Sequence, residues 1–185
     1  MTAWVETVEE GQARGRLQEV YEETRAKRGN LANIYVAQSL NPAALAAHRE
    51  LYLALFYHEG GLTRREREMI ATAVSRTNGS AYCISHHADA LGRHSTEPGL
   101  PALVATDYTK APLAPRERAL LDHAMKLTRA PSAITKDDVE ELRRHGYSDA
   151  AIVDATQVTA YTNYLTRVAN GLGVSHEDVE KTYRY

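Results

Sequence analysis

One cysteine, one phenylalanine and one tryptophan are spread over 185 residues. The single thiol, Cys83, excludes a disulfide within the chain and a metal site built from cysteines alone. Neither sign of charge is in excess: 22 Lys and Arg face 24 Asp and Glu, a formal net charge of −2. A protein that grips phosphate backbones ordinarily carries a basic surplus, so no nucleic-acid partner is expected. No run approaches the roughly 18 apolar residues of a membrane span. The N-terminal stretch MTAWVETVEEGQARGR lacks the apolar segment of a secretory signal, so the expected location is cytoplasmic. There is no His-Glu-x-x-His, no glycine-rich phosphate loop and no dinucleotide fingerprint, and neither metal nor cofactor is expected. Sustained alternation of β-branched residues, fixed-period repeats and low-complexity tracts are missing too.

What remains is a helical pattern. Hydrophobic residues make up 43% of the chain, with eleven tyrosines. The length suits one domain with a sizeable core. Apolar spacing of three and four residues predicts an all-α protein. A helical extension is expected over about 1–40 and a short polar tail over about 175–185, placed to reach a partner subunit. The first helix is predicted over about 11–27, with Leu17, Val20 and Tyr21 on one face. Asn41-Pro42 reads as a helix start, Thr63 with Glu66 as a capping box, and Asn78-Gly79 as a left-handed helix end. Ser80, Thr135 and Ser148 stand where they can cap the helices that follow them. The last long helix carries Ile152, Val153, Val158, Tyr161, Tyr164 and Leu165 around most of its circumference, as a central core helix or a subunit interface would.

Chemistry concentrates between Glu68 and His87. With Ser80 as N-cap, Cys83 falls in the first turn of a helix, where the helix dipole favours the thiolate. His86 and His87 follow three and four residues later, within reach of the same face. An imidazole at either position can take a proton from the thiol or give one to a leaving group. The Asn-Gly-Ser connection folds the helix of Glu68 back towards them. Tyr82 lies beside the thiol in sequence. Each residue also has a bland reading: a lone cysteine is ordinarily a small buried hydrophobe, and Ser80 is explained as a cap. Asn78-Gly79-Ser80 matches a glycosylation acceptor only by accident in a chain without a signal peptide.

The stretch REMIATAVSRTNGSAYCISHHADAL resembles the core motif of the alkylhydroperoxidase D and carboxymuconolactone decarboxylase superfamily, in its peroxidase-related branch. The stretch ITKDDVEELRRHGYSDAAIVDATQVTAYTNYLTRVANGLGV is similar to the same branch, so the resemblance runs over roughly 41–174. It implies an alkylhydroperoxidase-like helical bundle and a homo-oligomer. The family motif is a Glu, a Cys-x-x-Cys pair and a His; these fall on Glu68, on Ser80 and Cys83, and on His87. In members with both cysteines, the second attacks the peroxide and the first resolves the sulfenic acid. Ser80 cannot resolve anything.

Three functions are therefore carried forward. One is hydroperoxide reduction by Cys83 with an external thiol reductant, assisted by His87, Glu68 and Ser80, with His86 and Tyr82 as possible contributors. That reading expects an activated thiol. Another is decarboxylation of a small carboxylated lactone by His87 and Glu68, with Cys83 incidental. The third is a non-catalytic helical oligomer that keeps the scaffold.

Overall fold

Nine α-helices are present in the computed structural model, which describes residues 1–177; no strand occurs among them. They are α1 (Gly15–Arg28), α2 (Asn33–Val36), α3 (Pro42–Phe56), α4 (Arg64–Thr77), α5 (Ala81–Arg93), α6 (Leu100–Asp107), α7 (Pro115–Arg129), α8 (Lys136–Arg144) and α9 (Asp149–Leu172). Short 3₁₀ turns occupy Glu10–Gln12, Tyr108–Lys110 and Pro131–Ala133. The all-α expectation holds. The first helix starts at Gly15 rather than near Gly11, because the Glu10–Gln12 turn is followed by an extended Arg14 (φ −138°, ψ 157°).

Helix starts follow local polar chemistry. Asn41 Oδ1 accepts from the Ala44 N–H at 3.2 Å. Thr63 Oγ1 accepts from the Glu66 N–H at 3.2 Å while Glu66 accepts from the Thr63 N–H at 2.8 Å, a reciprocal box. Ser148 Oγ accepts from the Ala151 N–H at 3.2 Å. At Thr135 only the returning half forms: Asp138 accepts from the Thr135 N–H at 2.7 Å and from its hydroxyl at 3.0 Å.

The chain divides into two compact units, one of Met1–Ala54 with Val168–Tyr185, the other of Leu55–Arg167. In the first, Leu17, Val20, Tyr21 and Thr24 form the buried stripe of α1. The Tyr21 hydroxyl donates to the Val8 carbonyl at 2.9 Å. Trp4 N–H donates to the Leu172 carbonyl at 2.8 Å, and Ser175 N–H to that of Thr2 at 3.0 Å, so residues 2–4 run beside 172–175. Glu177 accepts from the Asn33 N–H at 2.9 Å. The described part of the tail expected over about 175–185 thus bonds to its own chain, and 178–185 lie outside the described residues.

The second unit holds the candidate site. Its core includes Met69, Ile70, Val74, Leu91, Leu100, Leu120, Leu121, Leu142 and Val158, all essentially without exposure. Threonines enter this core because each hydroxyl bonds back to its own helix. Thr159 donates to the Ala155 carbonyl at 2.7 Å, Thr162 to that of Val158 at 2.8 Å, and Thr166 to that of Thr162 at 2.8 Å. Helix α9 buries one face, with Ile152, Val158, Tyr161 and Leu165, and exposes the other, with Val153, Gln157, Ala160, Tyr164 and Arg167, so it is not enclosed over most of its circumference as its apolar residues suggest. Gly61 sits where a Cβ would lie 2.4 Å from the Ala151 backbone nitrogen, so only glycine lets the α3–α4 connection approach α9 this closely. No described helix is long and apolar enough to cross a membrane.

Within the first unit, His48 is buried, stacks on Tyr35 with centroids 5.5 Å apart, and meets Gln38 Nε2 through Nδ1 at 3.0 Å. Burial, reinforced by the Arg28 charge, pulls its pKa down to about 4. The folded value lies below that of the unfolded chain, so this contribution to stability is complete above about pH 6.5 and is lost as pH falls towards 4, a loss of about 3 kcal/mol. Denaturant titrations from pH 7 to pH 4 are expected to show this loss in the wild type and a flatter dependence in His48→Gln.

Candidate functional site

The turn Asn78-Gly79-Ser80 sets the geometry. Gly79 adopts φ +64°, the left-handed conformation expected of a helix end. Its N–H donates to the Arg76 carbonyl at 3.1 Å, and the Ser80 N–H to the Ser75 carbonyl at 3.0 Å. These two bonds are a Schellman closure of α4. The Asn78 side chain ties the turn to α9, donating to Asn163 Oδ1 at 3.0 Å and Thr166 Oγ1 at 2.9 Å. The asparagine amide is thereby occupied, in keeping with an accidental glycosylation match. The chain then reverses directly into α5, whose first intrahelical bond runs from the Ile84 N–H to the Ser80 carbonyl at 2.9 Å.

Glu68, on α4, and His87, on α5, meet across this hairpin. Glu68 Oε2 lies 2.7 Å from His87 Nδ1. Both side chains are buried, the carboxylate at 1% exposure. The other oxygen, Oε1, accepts from Arg64 Nε at 2.8 Å and lies 2.8 Å from Arg64 Nη2. Burial alone would raise the Glu68 carboxyl, but its two partners, His87 and then Arg64, outweigh it and hold the group below its ordinary value. The His87 ring stacks on Phe56 at 5.7 Å. With Nδ1 donating to a carboxylate, Nε2 of a neutral His87 carries the lone pair and can accept a proton.

His86 goes elsewhere. It is half-buried, with its ring 4.4 Å from that of Tyr82 and tilted by 42°. Tyr82 itself is buried. The structure thus pairs His87 with Glu68 and sets His86 against Tyr82. Cys83 is one helical turn before His87, on the same side of α5.

Two expectations about this turn are corrected. Ser80 occupies the N-cap position of α5 but makes no capping bond with its side chain. Its hydroxyl is fully buried with no hydrogen-bond partner among the described residues, so it is not the cap its position suggests. The thiol is also not activated at rest. Cys83 is buried, and that burial pushes it up to about 11, opposed only partly by the Ser80 hydroxyl. Desolvation at this site exceeds the helix-dipole effect.

Arg64 was absent from the expected set. Its signal was present in the sequence: Arg64 and Glu68 are four residues apart, one helical turn, the spacing at which opposite charges meet. What could not be read was that both would be buried. Among the described residues no group of three or more His, Cys, Asp or Glu is arranged to hold a metal ion.

Comparison with known proteins agrees with this fold and hairpin. Residues 42–122 match the carboxymuconolactone decarboxylase family model. The chain is 31% identical to an alkylhydroperoxidase AhpD core, peroxidase-related protein of Ralstonia eutropha JMP134, covering 96% of this chain and 94% of that one with a TM-score of 0.89. It is 33% identical to a peroxidase-related protein of Silicibacter sp. TM1040, covering 96% and 90%, TM-score 0.82. It is also 28% identical over 116 residues to the Bacillus subtilis (strain 168) protein YdfG, 62% of this chain and 78% of that protein. This all-helical chain therefore belongs to the carboxymuconolactone decarboxylase and AhpD-like family.

Two outcomes follow from the geometry of the turn. Ser80→Ala is expected to be neutral within about 0.5 kcal/mol, because it removes a buried hydroxyl that makes no bond. Loss of a working cap would instead cost about 1 kcal/mol, and chemical denaturation separates the two. Alkylation of native Cys83 is expected to keep accelerating with pH up to about 11, with no plateau near neutrality; the unfolded chain should level off near the ordinary thiol value of about 8.5.

Proposed function

We propose that the chain is a single-cysteine hydroperoxide reductase in which the Glu68–His87 pair supplies the base that a protonated thiol requires. The observation that carries this reading is the 2.7 Å contact between Glu68 Oε2 and His87 Nδ1, on a helix that presents Cys83 one turn earlier. A thiol raised to about 11 is ionised in only about one molecule in ten thousand at pH 7. Attack therefore depends on proton removal at the moment of reaction. His87 Nε2 takes the thiol proton as Cys83 Sγ attacks the distal peroxide oxygen. The O–O bond breaks, the sulfur is oxidised by two electrons to a sulfenic acid, and the proton passes from His87 to the departing alkoxide, which leaves as the alcohol. Ser80 has no sulfur with which to resolve the product. An external thiol condenses with the sulfenic acid to a mixed disulfide and water, and a second external thiol releases Cys83 and the oxidised reductant. His86 and Tyr82 pack against one another and take no step in this cycle.

A second reading rests on the same raised thiol. Because Cys83 is protonated at rest while the carboxylate–imidazole pair is already assembled, His87 and Glu68 could serve acid–base decarboxylation of a small carboxylated lactone without the sulfur. Self-association belongs to either reading, with the exposed Val153 and Tyr164 strip of α9 as the proposed contact.

Hydroperoxide treatment followed by a 1,3-dione probe is expected to label one sulfenic acid per chain in the wild type and none in Cys83→Ser. His87→Ala should slow the labelling by about 10²-fold or more. An unlabelled wild type, with carbon dioxide release from a lactone panel that survives Cys83→Ser and is lost in His87→Ala, would replace this reading with the second. Absence of both activities would leave a scaffold without chemistry.

A further inference from the structure

We infer that Arg64 is the positioning residue of the Glu68–His87 pair, holding one carboxylate oxygen so that the other accepts from His87 Nδ1 and Nε2 is left as the proton acceptor. This inference rests on the reading in which His87 removes a proton, and it adds a residue and a proton count to that reading. The guanidinium is itself held in place. Nη1 donates to the Phe56 carbonyl at 2.8 Å, and the group lies 5.4 Å from the centre of the Phe56 ring and 4.3 Å from that of Tyr57. Its side chain is 14% exposed. Phe56 therefore touches both ends of the network, since His87 stacks on its ring.

The charge inventory explains why an arginine is needed. Glu68 is enclosed, and a buried carboxylate is costly unless it is paired and hydrogen-bonded. Thr72 reaches only the Glu68 backbone carbonyl, at 2.7 Å. The charged and titratable groups that act on the carboxylate are Arg64 from its own helix, His87 from α5, and His94 immediately after α5. Arg93 acts on His94 in turn. With Arg64 cationic and Glu68 anionic, the buried set is neutral when His87 is neutral. A further proton on His87 would leave an uncompensated positive charge in a desolvated site. Without Arg64 the same set would carry a negative charge, and His87 would acquire a second proton to neutralise it. That imidazolium could not act as a base. Lysine would keep the charge but not the planar fork.

The test uses full-length protein labelled with ¹⁵N-histidine, with the two ring nitrogens of His87 observed at pH 7. Wild type is expected to show a proton on Nδ1 and none on Nε2. Arg64→Gln is expected to show protons on both nitrogens. Arg64→Lys is expected to return towards the wild-type pattern. Cys83 oxidation in Arg64→Gln should fall by about tenfold or more at pH 7 and recover as pH is raised, since each unit of displacement in the acid limb is a factor of ten. An Arg64→Gln spectrum identical to wild type overturns the inference. A doubly protonated His87 in the wild type also overturns it, and that measurement stands even if the glutamine variant fails to fold. The spectra need no substrate. Expected spectra without sulfenic acid formation would therefore remove the peroxide reading and leave the positioning role of Arg64 in place.

Discussion

Everything at this site depends on a carboxylate placed out of reach of water. Glu68 has almost no exposure, and its two oxygens are divided between a cation on its own helix and an imidazole on the next. Such a group is stable in the core only while both partners stay in register. That requirement ties three otherwise separate features together: the one-turn spacing of Arg64 and Glu68, the tight α4–α5 reversal, and the packing of Phe56 under both Arg64 and His87.

The reversal is built so that this register has little freedom. One residue, Ser80, closes α4 through its N–H and opens α5 through its carbonyl. Gly79 supplies the left-handed conformation between them, and Asn78 fastens the turn to α9. The price of so short a connection is that the Ser80 hydroxyl enters the core beside the thiol without a bond of its own. Cys83 is carried into the same apolar surroundings, which is why its proton is held so firmly. A buried thiol of this kind stays protonated, unlike one held as a thiolate at an exposed helix end.

Much of this was legible in order along the chain. The helices, the Asn41, Thr63 and Ser148 caps and the glycine at the end of α4 depend on neighbours within a few residues, and these were read with shifts of only a few positions. The bringing together of Glu68 and His87 was also legible, because a two-helix hairpin with a short turn leaves few alternatives. The division of labour between His86 and His87 was not. Spacing places both near the thiol and the family motif points to His87, but it is packing that puts His87 against Glu68 and His86 against Tyr82. Arg64 was overlooked because an Arg–Glu pair one turn apart normally marks a solvated helix face, and nothing local distinguishes a buried pair from an exposed one.

The sequence by itself determined the secondary structure, the hairpin and the family, since these rest on periodicity, capping residues and a motif of fixed spacing. It also determined that Cys83 has no second cysteine to pair with in this sequence. Only the tertiary structure decided the state of the groups that this motif supplies. Whether a thiol at a helix start is activated or suppressed turns on the balance of dipole against desolvation, and desolvation is a property of all the chain that packs around it. By the same physics a surface ion pair became a buried network, and a serine in the capping position became an unbonded hydroxyl in the core.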